Sequence, residues 1–515
     1  MPPVPVLPPS QREPVALAAT PSAPKQPRLL PSSLAPILLT PVAFLVHGYH
    51  PFAGDAGIYV AGVRHVLDPS LYPLNAVFPA AFTRLSVFPW TLAALVRLSH
   101  LPLDWVLLAA QLLSIFLFLV ACRQLAAGLF ATESAMWGAV LLAAACFTLP
   151  VAGTALFVMD PYVTARSFST PLSLMAIAAC IDHARLHAVL LLILAALIHP
   201  LMAAYAAAFI LLYALIDTGR IHLALAFCCT IFAVSGAAFL LAHRLPISTA
   251  YRQAVSLPPR TFLFLARWHW YETLGLILPL LLFALALTRF GVASRQGALC
   301  LTALLLGTTS ILIAALFVPA AGPYPLVPFQ VLRSFHLIYV LGVILWGGVL
   351  ARPASTSRIT ALFLLALLFA GMFSAQRLAW SGSNHIEWPG SPPANPYRQA
   401  FLWIRVNTPR NAVFAFNPVL VYLPEEDEQG FRAIAERDHL ADDKDAGIVA
   451  VLPQLAGRWA LQRNAESDVD GMTDTERTSS LAPLGANWLL LPPSTATELP
   501  CPYRNGKVKV CRLAR

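Results

Sequence analysis

Residues 34–73 read "LAPILLTPVAFLVHGYHPFAGDAGIYVAGVRHVLDPSLYP". The apolar run 34–47 gives way at once to glycines and aromatics surrounding a single acid, Asp55. A helix needs about 20 residues, at about 1.5 Å each, to cross a hydrocarbon layer of roughly 30 Å. If 34–47 is a crossing, residues 48–102 form a long loop on one side of a membrane, and everything downstream is placed relative to that loop.

Composition supports a crossing. The chain is 58% hydrophobic and 11% charged, where soluble domains carry roughly 25% charged residues. Its mean hydropathy is +0.69. The net charge of +9 comes from basic residues scattered between apolar runs, without the stripe that nucleic acid requires; positively charged cytoplasmic loops account for it. Residues 1–33 are rich in proline and lack a continuous apolar core with a cleavage site, so they are expected to be a disordered cytoplasmic tail.

Periodicity and length predict an α-helical polytopic protein with about eleven transmembrane helices in residues 34–375. The expected spans are 34–47, 103–122, 135–157, 167–181, 186–198, 201–217, 222–243, 273–289, 298–318, 335–350 and 359–375. Two segments decide the parity. Residues 85–98 contain Pro89 and end near Arg97, which favours an interfacial or re-entrant segment. Residues 186–217 are too long for one span, and Pro200 disfavours helix at His199, so the His-Pro pair marks a turn.

With those two readings Arg12, Lys25, Arg28, Arg123, Arg185, Arg220, Arg289, Arg295, Arg352 and Arg358 all fall on one side, the cytoplasmic one by the positive-inside rule. Loops 48–102, 158–166, 199–200, 244–272 and 319–334 then face outward, and the C-terminus follows them.

From about residue 376 acidic, water-compatible stretches appear, predicting a soluble α/β domain tethered outside over 376–515. "NAVFAF" (411–416) and "NWLLLP" (487–492) read as buried strands, and 445–465 has helical periodicity despite Pro453. Six of the eight cysteines (Cys122, Cys146, Cys180, Cys228, Cys229, Cys300) lie in or beside apolar runs and read as small apolar residues. Cys501 and Cys511 flank the turn signal Asn505-Gly506. A two-residue loop would leave Cys501 opposite Val510, so a disulfide there requires a bulge or a three-residue loop; closing so short a ring is worth roughly 3 kcal/mol.

Polar groups at a membrane edge are functional candidates. Asp55 can act as a carboxylate among small residues that let a phosphate or metal approach, or it can cap a helix beginning "DAGIYV". Asp160 and Arg166 in "MDPYVTAR" (159–166) form either a plain ion pair or a second acid with a phosphate-holding arginine. Arg333 and His336, three residues apart, share a face at the outer end of a span; the arginine either snorkels to headgroups or clamps a phosphate. His199 is a structural histidine or a ligand group. His47 and His50 lack a third metal ligand nearby, and no metal site is expected.

These features together resemble the GT-C class of membrane glycosyltransferases and a set of uncharacterised bacterial multi-pass proteins. The resemblance rests on a first outer loop with an acid followed by "DPSLYP" (68–73), a second outer acid, "LIHPLM" (197–202), "VLRSFHL" (331–337), and an outer α/β domain starting "FLWIRVNTPRNAVFAFNP" (401–418) and continuing "FRAIAERDHLADDKDAG" (431–447). It implies a bacterial cytoplasmic membrane, a polyprenyl-phosphate-linked sugar as donor, and a first-loop carboxylate serving as base or metal ligand, a role that falls on Asp55. The chain departs from many members in having one acid there, not an adjacent pair. A transporter or flippase, or a non-catalytic envelope protein, would suit the same composition. Nothing in the sequence names a cofactor.

Overall fold

The computed structural model describes residues 31–351 and 358–513. Residues 1–30, most of the expected tail, lie outside the described residues, as does Arg352. The described chain starts with the turn Ser32–Leu34, where the buried Ser32 donates its N–H to Glu133 at 2.8 Å.

Apolar helices occur at all the expected spans. Among the described residues seven are long and apolar enough to cross a membrane: Leu103–Leu129, Pro200–Asp217, Ile221–Ala242, Trp270–Phe290, Arg295–Phe317, Val327–Leu350 and Ile359–Ala379. Four more, Ser32–His47, Glu133–Ala145, Ala165–Ile181 and Arg185–Ile198, are apolar but shorter. The outermost helices bury almost nothing against protein: Ile359 is 80% exposed, and Leu362, Leu278 and Leu240 are also exposed. Apolar surface of that extent is stable in lipid, not in water.

Three segments differ in detail from the sequence reading. Residues 135–157 are not one span: the helix stops at Ala145, and Pro150–Val151 pairs with Leu156–Phe157 as a short hairpin, because Pro150 and Gly153 end regular helix there. Residues 85–98 belong to two helices, Val77–Leu85 and Phe88–Ser99, bent by 96°. The second leaves Trp90, Leu95 and Leu98 exposed. Within 445–465, Pro453 breaks the helical run into Ala446–Val449 and Ala456–Ala465.

The C-terminal domain is built on a five-stranded sheet. Val413–Ala415 runs parallel to Asp438–His439 on one side and to Trp488–Leu491 on the other; Lys509–Arg512 and Tyr503–Arg504 extend the sheet antiparallel. Val413, Phe414 and Ala415 are all buried, as a central strand covered on both faces demands. Between the last two strands the loop is wider than two residues, because Asn505 Oδ1 accepts from Lys507 N–H and Val508 N–H, and Arg504 pairs with Lys509. Past Tyr503 the register slips by one residue: Arg512 N–H bonds Pro500 O at 2.9 Å, which sets Cys501 opposite Cys511, to which it is bonded. Replacing both cysteines by serine is expected to cost about 2–3 kcal/mol, read as a lower thermal midpoint of the C-terminal domain.

The domain is not merely tethered. Phe52, Tyr59, Val60 and Val63 from the loop 48–102 share one hydrophobic core with Phe401, Phe414, Phe416 and Phe431. Leu74 and Asn75 donate their N–H groups to Asp438 Oδ2 at 2.8 and 2.7 Å, and the Tyr72 hydroxyl donates to Arg432 O at 2.8 Å. Other loops join the same end of the bundle: His50 N–H bonds Pro161 O, Val87 N–H bonds Leu197 O, and the Tyr251 hydroxyl bonds Ala450 O.

Candidate functional site

Asp55 opens the helix Asp55–Leu67, and no side-chain cap bond is made at that end. The carboxylate faces two cations instead. Arg166 Nη1 lies 2.9 Å from Asp55 Oδ2, and Lys444 Nζ lies 3.5 Å from Oδ1. The same guanidinium holds Asp160, with Nη2 2.9 Å from Asp160 Oδ2. Two acids from different loops thus meet on one arginine fork, whose planar donors suit two carboxylates at once.

The glycines around Asp55 set this geometry. Gly54 has φ +54°, and a Cβ there would stand 2.5 Å from the Tyr162 hydroxyl. A Cβ on Gly57 would meet Gly430 Cα at 2.8 Å, while Gly430 N–H bonds Phe52 O at 2.9 Å and Gly54 N–H bonds Glu428 O at 3.0 Å. The small residues admit the protein's own tyrosine and the C-terminal domain's backbone, where the sequence suggested a phosphate or metal.

Lys444 arrives from the C-terminal domain on "ADDKDAG" (441–447). The three acids of that segment are each tied down: Arg432 grips Asp445 at 2.8 and 2.9 Å, Arg463 bonds Asp443 at 2.9 Å, and Asp442 Oδ1 accepts from Asp445 N–H at 2.8 Å. With its neighbours fixed, Lys444 is projected between Asp55 and Glu428, the latter at 3.2 Å. Arg260 lies against Gly447 and donates to Asp443 O and Lys444 O, both at 3.0 Å.

Asp55 sits on the wall common to two cavities. One, of about 240 Å³, is lined by Leu85, Ile198, Leu201 and Pro328 together with Arg166, Arg260 and Arg333. The other, of about 600 Å³, is lined by Tyr162, Trp380 and Tyr422 with Glu272, Glu428 and the Pro150–Phe157 hairpin. Asp55, Arg260, Phe262, Arg333 and Lys444 border both. Among the described residues neither Arg260 nor Arg333 has a carboxylate within ion-pair distance, and the Nε of each is buried without a hydrogen-bond partner. Arg333 stacks over Phe262 at 4.7 Å. Such guanidiniums facing a cavity are suited to an anion.

The electrostatics separate the two acids. Burial works against charge on Asp55, but Lys444, Arg166 and Arg333 outweigh it and hold the carboxyl well below the usual carboxylate range. Its side chain keeps 32% of its surface accessible where it borders the cavities. Asp160 is more deeply enclosed; desolvation raises its carboxyl despite Arg166, and the charge of Asp55 adds to the rise.

No protein-family model and no curated protein matches the sequence. Among solved structures the chain is similar to the oligosaccharyltransferase AglB of the archaeon Archaeoglobus fulgidus in complex with an inhibitory peptide and a dolichol-phosphate, at 12% identity and a TM-score of 0.49, over 90% of this chain and 69% of that one. It is also similar to an Archaeoglobus fulgidus oligosaccharyltransferase in the apo form, at 10% identity and a TM-score of 0.47, over 89% and 69%.

The other candidates fall into two groups. His199 lines the smaller cavity, and its Nδ1 also accepts from Met202 N–H at 3.4 Å, capping the helix Pro200–Asp217. His336 is not among the residues lining either cavity; its Nε2 donates to Val158 O at 2.9 Å. Arg333 lies in the 3-10 turn Val331–Ser334, which runs directly into the α-helix Phe335–Leu350 that carries His336. His47 bonds Thr148 and Ala144 O, and His50 stacks on Trp380.

Two site residues escaped the sequence. Arg260 looked like one more basic residue in a loop. Lys444 carried a local signal, as a lone cation in an acidic run, but only docking of the domain gives that run its direction.

Below the site, burial and the neighbouring Asp445 lift the Asp442 carboxyl to about 7. The folded chain therefore keeps a proton there that the unfolded chain has released, so this contribution to stability is full below about pH 4 and is lost as pH rises through about 7. Asp442→Asn is expected to flatten the fall in thermal midpoint between about pH 5 and about pH 8 relative to wild type.

Proposed function

We propose that the chain is a GT-C-like glycosyltransferase that moves a sugar from a polyprenyl-phosphate-type donor to an acceptor hydroxyl. The observation that carries this is the position of Asp55, on the wall common to a mainly apolar cavity and a larger, aromatic and polar one, with two arginines that lack carboxylate partners bordering both. A lipid phosphate requires apolar surface beside fixed cations, and an acceptor requires polar access to the same carboxylate. Orientation follows from the basic loops: N-terminus in the cytoplasm, site and outer domain beyond the membrane.

In this reaction Arg333 and Arg260 hold the donor phosphate while the acceptor oxygen attacks the anomeric carbon from the opposite side. The new C–O bond forms as the bond from that carbon to the phosphate oxygen breaks; the phosphate leaves with the electron pair. Asp55 aligns the hydroxyl and accepts its proton. Because surrounding cations weaken it as a base, proton transfer comes late, and the negative carboxylate also stabilises positive charge developing on the sugar.

Mass spectrometry of lipid-linked sugars and envelope glycans in a strain lacking the gene, with and without complementation, tests the proposal. Loss of one glycan and accumulation of its donor are expected; unchanged profiles oppose it. Arg333→Ala should raise the apparent KM for the donor about 10- to 100-fold with a smaller change in kcat, since a charged hydrogen bond to phosphate contributes about 1.5–3 kcal/mol. Initial-rate kinetics with donor varied would show it, and Arg333→Lys should recover part of the loss.

A further inference from the structure

The resemblance to GT-C enzymes allows the first-loop carboxylate to be a metal ligand, so the donor set around Asp55 and Asp160 can be tested for fit. A divalent ion requires about four to eight donor atoms at about 2.0–2.6 Å. Here the space between the two carboxylates is taken. The terminal nitrogens of Arg166 lie 2.9 Å from Oδ2 of Asp55 and 2.9 Å from Oδ2 of Asp160. Asp55 Oδ1 faces Lys444 at 3.5 Å, and Asp160 Oδ2 also accepts from the Thr164 hydroxyl at 3.4 Å. Among the described residues no three His, Cys, Asp or Glu side chains gather into a metal-binding group. The residues do not fit a divalent ion.

We infer that Arg166 and Lys444 take the place of a divalent cation at the Asp55–Asp160 pair, with Lys444 supplied by the outer domain. The charges match: two carboxylates face one guanidinium and one ammonium, the two positive charges a divalent ion would bring. Glu428 also pairs with Lys444, at 3.2 Å, and makes no ion pair with Arg166 among the described residues. The two cations differ in origin. Arg166 begins the helix Ala165–Ile181 in the bundle, whereas Lys444 reaches Asp55 only because Arg432, Arg463 and Arg260 fix its segment. The site is complete only with the outer domain docked, and the domain acts as a positioning element for the carboxylate.

The inference extends the transferase reading to a metal-independent site, but its test reads ion binding and not transfer, so either can fail alone. Full-length protein, purified in detergent and freed of metal by chelator, is titrated with Mn²⁺ while free Mn²⁺ is followed by electron paramagnetic resonance. Wild type is expected to show no Asp55-dependent saturable binding up to about 1 mM. Removing both cations in Arg166→Ala/Lys444→Ala should create a site at least about tenfold tighter than wild type, lost again on adding Asp55→Asn. Stoichiometric Mn²⁺ binding by wild type that Asp55→Asn abolishes would overturn the inference. So would a double variant that stays monodisperse on size exclusion and gains no site. Should the double variant aggregate, the wild-type and Asp55→Asn titrations decide the matter, and Lys444→Ala alone provides a milder gain-of-site arm.

Discussion

Asp55→Asn should reduce sugar transfer by about 10²- to 10⁴-fold, the range for losing a positioned base. An amide keeps the volume but cannot accept the proton or present full negative charge to the anomeric centre. The fold should survive, because Arg166 retains Asp160 and Lys444 retains Glu428 when the carboxylate is neutralised. Complementation of the deletion strain with this variant, read by mass spectrometry of lipid-linked sugars, checks the effect, with protein level and thermal midpoint measured alongside. Full rescue at normal abundance would remove Asp55 from the chemistry. Loss of both abundance and activity would instead assign it a structural role.

The second large effect is expected at a residue with no chemistry of its own. A Cβ on Gly430 would stand 2.5 Å from Gly57 Cα. Both partners are backbone, so no rotamer change relieves the clash. Gly430→Val should therefore push the outer domain off the helix Asp55–Leu67 at a cost of about 3 kcal/mol or more, above most overpacked substitutions in side-chain cores. Separation also withdraws Lys444 from Asp55, so activity should fall with stability. Limited proteolysis between residues 380 and 430, with the thermal midpoint, measures the docking. Gly457→Ala is the control: nothing lies within 4 Å of its Cβ, and in the helix Ala456–Ala465 it should stabilise by up to about 1 kcal/mol.

These predictions draw unequally on sequence. That helices begin near residues 103, 200, 221, 270, 295 and 358 follows from runs of apolar side chains, which are local. The break at His199-Pro200 is local too: proline removes an N–H and blocks helix at the residue before it. The start of a helix at Asp55 was visible for the same reason. The hairpin at 150–157 was hidden because hydropathy does not distinguish a buried helix from a buried turn, although Pro150 and Gly153 stood in the run. Membership of the outer domain in the site was hidden for a different reason: strands 413–415 and 488–491 were legible, but not the surface they present to the first loop.

By itself the sequence determined a helical membrane chain, an α/β domain after the last helix, and a short set of polar residues at the helix ends, among them Asp55, Asp160, Arg166 and Arg333. Tertiary structure decided which of these meet. Asp55 and Asp160 lie far apart along the chain, and one guanidinium joins them; Lys444 and Arg260 come from later loops; His336 turns to Val158 O instead. Hydropathy and helix breaking act over a few residues and leave a periodic trace. Convergence depends on the docking of whole elements, here on a shared hydrophobic core and on the close approach of two glycines whose sequence signature gives no hint of their partner.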